Sequence, residues 1–240
     1  MLTGLDHLVI LVRDLEEAIP GYERLGFRVT PGGEHADGLT RNALVPFADG
    51  TYFELVAFIH PDDERDNVWG WREFLPGEGL IDYCAASNGM TDEVRRLEDL
   101  GLGVNGPDDG GRTLPNGQEI EWRSASIRQE GRLMPFLIED VTPRGTRVPA
   151  GRAANHPNGA TGIRRLEVSV PDPNRAREVL SALTENQPHK LALGGCALTV
   201  VEGERPGPVA VGLATDDVAN AGELDPEFAH GVSIQLSGNG

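Results

Sequence analysis

The stretch "LDHLVILVRDLEEAIPGYERLGF" (residues 5–27) has an echo in "LIDYCAASNGMTDEVRRLEDLGL" (residues 80–102). Each opens with a β-rich apolar run and continues into a segment with apolar positions at helical spacing. Each then stops at a glycine. One ungapped shift of 75 places Leu5 on Leu80, Ile19 on Val94, Tyr22 on Leu97, Leu25 on Leu100 and Gly26 on Gly101. Pro20-Gly21 predicts a kinked or late-starting first helix. After the first helix come a strand near residues 26–31 and "RNALVPFADGTYFELVAF" (41–58), two β-rich runs around a tight turn. After the second come "NGQEIEWRSAS" and "RLMPFLIEDV". Each unit therefore reads βαβββ, at about 1–60 and 78–142. A third, degenerate copy starts at "GIRRLEVSVPDPNRAREVLSAL", where a shift of 158 takes Ala18 to Ala176, Tyr22 to Leu180 and Leu25 to Leu183. Its further strands are "HKLALGG", "CALTVVEG", "GPVAVGLA" and "HGVSIQLS". The expected organisation is two paired modules over 1–145, then a Pro/Gly/Arg-rich linker and the third module over 146–240.

Bulk properties exclude several classes. The formal charge of −17 repels nucleic acid and anionic membrane, so neither is an expected partner. No apolar run approaches the ~18 residues that cross a bilayer, and no signal segment opens the chain, so a cytoplasmic location is expected. Cys84 and Cys196 have no metal-site or disulfide spacing and read as buried hydrophobes. "GLGVNG" (101–106) matches a dinucleotide fingerprint, but it follows a helix and precedes a strand, the reverse of what that site needs. It reads as a helix end and turn.

Strand alternation places the candidate chemistry. On the first strand Leu8, Ile10 and Val12 form one face, for packing under a helix, and His7, Val9 and Leu11 form the other. His7 therefore points to the concave side of the sheet. Glu54, in "YFEL", shares a face with Tyr52 and Val56 in an otherwise apolar run, where a lone carboxylate is too costly to bury without a cation, a proton or several donors. His7 and Glu54 could close on one divalent ion (Mn, Fe, Ni, Co or Zn), or Glu54 could pair with Arg41 or Arg123. By the shift of 75, Asp82 matches His7, and Glu139 falls roughly where Glu54 lies, giving two further metal-ligand candidates. Loop His35 suits acid/base work or simple exposure. Asn42 suits a bond to substrate or a turn cap. Trp69 and Trp71 suit the floor of a ligand pocket or a clamp on the connector. His156 most simply belongs to a turn.

These features together, with the "LGF" helix end, the "GG.H" turn, the "N.LVPF.DG.Y.EL" hairpin and the "PFLIED" strand, resemble the glyoxalase-like group of the vicinal oxygen chelate superfamily over about residues 4–160. The resemblance implies an α+β fold: repeated βαβββ modules forming a cupped mixed sheet, with helices on its outer face and a divalent ion in the cup. It also implies a small-molecule substrate that chelates the ion through adjacent oxygens, in a lyase, isomerase or dioxygenase reaction. His7, Glu54, Glu139 and Asp82 are then the metal candidates. Glu139 and His35 are the catalytic candidates, and Asn42, Tyr52, Trp69 and Trp71 the substrate-binding ones. Asp82 departs from the residue usual at its position, and Arg165 replaces any ligand in the third copy. Two other readings stay open: metal-free sequestration of an aromatic or drug-like ligand, and a structural module whose third copy makes a homodimer.

Overall fold

The computed structural model describes residues 1–114, 116–129 and 131–238. The first unit runs β1 (Leu2–Leu11), α1 (Leu15–Arg24), β2 (Thr30–His35), β3 (Thr40–Pro46) and β4 (Tyr52–Phe58). The second runs β5 (Gly79–Ser87), α2 (Met90–Asp99), β6 (Val104–Thr113), β7 (Glu119–Ile127) and β8 (Phe136–Asp140). The mixed sheet closes on itself as an eight-stranded barrel in the order β1-β4-β3-β2-β6-β7-β8-β5. Helix α1 starts at Leu15 rather than late, because the Asp14 side chain accepts from the Glu16 amide at its N-terminus and Pro20 sits in the interior. "GLGVNG" spans the end of α2 and the start of β6, with Gly101 at φ +80° making the turn.

Alternation along the strands sorts the barrel residues as expected. Val9, Leu11, Val56, Phe58, Ile120, Trp122, Phe136 and Ile138 cluster inside. Leu8, Ile10, Phe53, Leu55, Tyr83 and Leu137 face out and join Ala18 and Tyr22 of α1 and Val94 and Leu97 of α2.

The outer core does not end at the helices. After a short helical turn α3 (Arg144–Arg147) come β9 (Ala160–Val170), α4 (Pro173–Thr184), β10 (Ala192–Leu193), β11 (Cys196–Glu202), β12 (Gly207–Thr215), β13 (Gly222–Glu223) and β14 (Ser233–Gly238). They form a second sheet, β10-β11-β9-β12-β14-β13. Its Leu166, Val168, Val211 and Leu213 share one core with Leu8 and Ile10. In this sheet β9 is parallel to β11 and antiparallel to β12, which is parallel to β14. The seam of the barrel has the same pattern: β1 is parallel to β4 and antiparallel to β5, which is parallel to β8. The C-terminal sheet thus repeats the middle of the barrel without the closing strands. The division into 1–145 and 146–240 remains a proposal, since one core runs through both.

Both cysteines are buried and free. His156 is a buried clip: Nδ1 accepts from the Arg28 amide at 2.9 Å and Nε2 lies 2.8 Å from the Pro46 carbonyl oxygen. No helix among the described residues is long and apolar enough to cross a membrane.

Candidate functional site

Inside the barrel a small chamber of about 20 Å³ is walled by His7, His35, Asn42, Tyr52, Glu54 and Arg112 on its polar side. Trp69, Trp71, Trp122, Phe136 and Ile138 form the apolar side. That is room for roughly one water-sized guest. A larger open groove of about 560 Å³ lies elsewhere, beside Phe47, Val148, Pro149 and His156. Its one imidazole is already engaged by backbone, and the small chamber, with its two imidazoles, carboxylate and guanidinium, is the candidate site.

Parity puts Tyr52 and Glu54 of β4 inside, opposite His7 and Val9 of β1 in the parallel register. The Glu54 carboxylate lies between two imidazoles: Oε2 is 3.3 Å from His7 Nε2, and Oε1 is 3.3 Å from His35 Nε2. Asn42 Nδ2 donates to Oε1 at 2.5 Å. Each ring is held from behind, His7 Nδ1 by Asp6 Oδ1 and His35 Nδ1 by Thr40 Oγ1, both at 2.7 Å. The His7 ring also stacks on Tyr52, with centroids 4.6 Å apart. Behind it Asp6, fully buried through an irregularity in β1, accepts from Arg144 and from both Nη atoms of Arg147. Arg147 also reaches Asp140 and donates to the Tyr52 hydroxyl.

Charge follows from this wiring. Burial pushes the Asp6 carboxyl up, but Arg147 and His7 outweigh it and hold it well below 3.8. Burial likewise opposes ionisation of Glu54, yet His35 and His7 hold it well below 4.5. His7 is pushed down by burial and pulled further up by Asp6 and Glu54, ending above 6.5. The Tyr52 hydroxyl is driven well above 10 by burial.

The chamber brings His7, His35, Asn42, Tyr52, Glu54, Trp69 and Trp71 together. Two candidates lie elsewhere. Glu139 points out of the barrel because it alternates with the inward Phe136 and Ile138. Its Oε1 accepts from the Gly89 and Met90 amides at the start of α2, at 2.7 and 3.3 Å, and its Oε2 pairs with Arg123 at 2.9 Å. It caps α2 in this fold and does not line the chamber. Asp82 is buried on β5, with Oδ2 accepting from the Trp71 indole at 2.9 Å and lying 3.5 Å from Arg132. It holds the tryptophan and does not line the chamber.

The register explains both corrections. His7 pairs with Cys84 across the β1–β5 seam. In the parallel pairs His7 lies beside Tyr52 and Val9 beside Glu54, while Cys84 lies beside Phe136 and Ala86 beside Ile138. The second-half counterparts of His7 and Glu54 are therefore Cys84 and Ile138. The shift is 75 through the helices but 77 at the histidine, because Cys84 lies two positions nearer the start of its helix, Met90, than His7 lies to Leu15. Arg41 pairs with Glu16 and Arg123 with Glu139, so neither reaches Glu54.

Sequence reasoning missed Asp6, Arg112, Arg147, Trp122 and Phe136. The alternation of "EIEW" and "PFLI" could have found the aromatics. Arg112 stands among glycines, and Arg147 lies in an apparent linker with no pattern around it.

The donor chemistry fits a divalent ion: two imidazole Nε2 atoms and one carboxylate, with His7 Nε2 buried and without a hydrogen-bond partner. Donors about 2.1 Å from a shared ion would sit about 3.0–3.4 Å apart, and 3.3 Å falls within that range. Among the described residues, however, no group of three or more His, Cys, Asp or Glu side chains is arranged as it stands to hold a metal ion. The carboxylate turns one oxygen to each ring, and the second half contributes no donor.

A family profile described as a glyoxalase-like domain matches residues 5–184. No curated protein matches the chain in sequence. Among solved structures, a Staphylococcus aureus protein described as hypothetical superposes with TM-score 0.77 at 13% identity, over 98% of this chain and 99% of that one. A fusion of a xylose isomerase-like TIM barrel with 4-hydroxyphenylpyruvate dioxygenase gives 0.54 at 15%, over 93% of this chain and 39% of that one. Methylmalonyl-CoA epimerase from Mycobacterium tuberculosis gives 0.45 at 25%, over 60% and 92%. With its profile covering most of the sequence, the chain belongs to the glyoxalase-like domain family.

Proposed function

We propose that the protein is a small-molecule enzyme whose chamber holds a divalent metal on His7, His35 and Glu54. The observation that carries this reading is the buried carboxylate set between two imidazoles, each anchored through its far nitrogen. When bound, such an ion would polarise adjacent oxygens of the substrate and stabilise the oxyanion that forms. The chain's own groups do the rest. Asp6 and Thr40 fix the two rings. Asn42 holds Glu54 in place and can donate to a substrate oxygen once freed from it. The three tryptophans and Phe136 exclude water, which strengthens every charge interaction inside.

A second reading, metal-free ligand sequestration, is favoured by one observation: Cys84 and Ile138 stand where the second half would have supplied donors. Elemental analysis after loading with Mn, Fe, Co, Ni and Zn in turn separates the two. Near-stoichiometric metal in the wild type is expected, with affinity lower by about 100-fold or more in Glu54→Gln and in His7→Ala. Equal, negligible metal in all three proteins would overturn the enzyme reading.

A further inference from the structure

The charged groups of the chamber wall are paired, with one exception. Arg147 has Asp6 and Asp140, His7 has Asp6 and Glu54, and Glu54 has both histidines. Arg112 is equally buried, at 4% exposure, yet no carboxylate among the described residues comes within 4.0 Å of its guanidinium. Nη1 donates to Asn42 Oδ1 at 3.0 Å and Nη2 to the Arg147 carbonyl at 2.7 Å, while Nε has no partner. The nearest carboxylate, through Asn42, is Glu54, already engaged by two imidazoles and that amide. Burying a cation with no carboxylate in direct contact costs free energy. A buried guanidinium with a spare N–H is suited to a carboxylate.

We propose that Arg112 is the anion subsite of the chamber, and that the ligand is a small carboxylate carrying a flat, uncharged apolar body. This rests on the reading of the chamber as the substrate site. The carboxylate lies beside Arg112, and because the chamber has room for only one water-sized guest, its entry displaces Trp69. The body lies against Trp69, Trp122 and Phe136 and extends toward an adjoining pocket of about 110 Å³ that shares His35, Trp69 and Trp122 with the chamber. Trp69, with His35 and Trp122, walls both spaces.

The chain has three tryptophans, and all three line this chamber, so intrinsic fluorescence reports on it. The test titrates metal-stripped protein with acetate against acetamide and benzoate against benzamide, at constant ionic strength. At least one carboxylate should bind about tenfold or more tighter than its amide. In Arg112→Gln that ratio should fall to within about twofold, whereas Arg112→Lys, which keeps the charge, should retain a preference for the carboxylate. Amides that bind as well as both carboxylates, or a preference that survives in Arg112→Gln, overturn the proposal. If the Gln variant does not melt cooperatively, the wild-type ratio and the Lys variant decide. Because the protein is stripped of metal, failure of metal uptake leaves this result standing. Intact metal uptake with no carboxylate preference removes this inference alone.

Discussion

The two halves of the barrel share a backbone plan and differ in what they put inside it. At matching points of the two parallel strand pairs, the first half carries His7, Tyr52 and Glu54, and the second carries Cys84, Phe136 and Ile138. The first half buries charge, and it meets that cost with a network reaching Asp6, Asn42, Arg144 and Arg147. The second half puts mainly apolar surface inside, with Arg112 of β6 as its charged contribution to the chamber wall. It supplies the dry wall, and its acids serve structure: Glu139 caps α2, and Asp82 anchors Trp71. Duplication of a module thus gave one working face and one backing face.

This contrast predicts where substitutions hurt. The largest effect is expected at Asp6, on the working side. Asp6→Asn leaves Arg147 and Arg144 facing a neutral amide in a fully buried position, which should cost about 3–5 kcal/mol in urea unfolding. A cost under about 1 kcal/mol would mean that the network does not hold the first half together.

On the backing side, Asp82 should act through pH. Burial raises its carboxyl to about 6 from a usual 3.8. Between those values the folded state holds more protons than the unfolded one, so stability falls as pH rises through this window. The drop is about 3 kcal/mol. Asp82→Asn should still accept from Trp71 and should remove that slope, which unfolding curves at pH 4, 5, 6 and 7 would show. An unchanged slope would place the titration elsewhere.

The smallest effect is expected at Glu139. Replacing it by Gln weakens the cap of α2 and the contact with Arg123, for about 1 kcal/mol. Metal uptake and carboxylate binding should be unchanged, because the side chain is on the outer face. A loss of either would restore Glu139 to the chamber.

Much of this molecule was legible in the chain. The repeat of strand, helix and glycine stop located both modules, and the alternation around His7 and Glu54 assigned them to the concave face. A period of 2 is robust when anchored by apolar residues on the opposite face, as Leu8 and Ile10 anchor His7. The same parity, applied to Phe136 and Ile138, would have turned Glu139 outward. Asp82 was misassigned because the shift of 75 was fixed by helix positions, where period 3.6 is well marked. The path from the seam residue to the helix start, two residues shorter in the second unit, carries no periodic signal.

Local pattern fixed the strands, the helices and the direction in which His7 and Glu54 point, because these depend on residues within a few positions of one another. Tertiary structure alone decided that His35 reaches the same carboxylate from a different strand. It also decided that Arg147 from the apparent linker underpins Asp6, and that Arg112 is buried beside them without a counter-charge. Those contacts join residues as much as 141 positions apart. Barrel closure sets their geometry, and no short stretch of chain contains it.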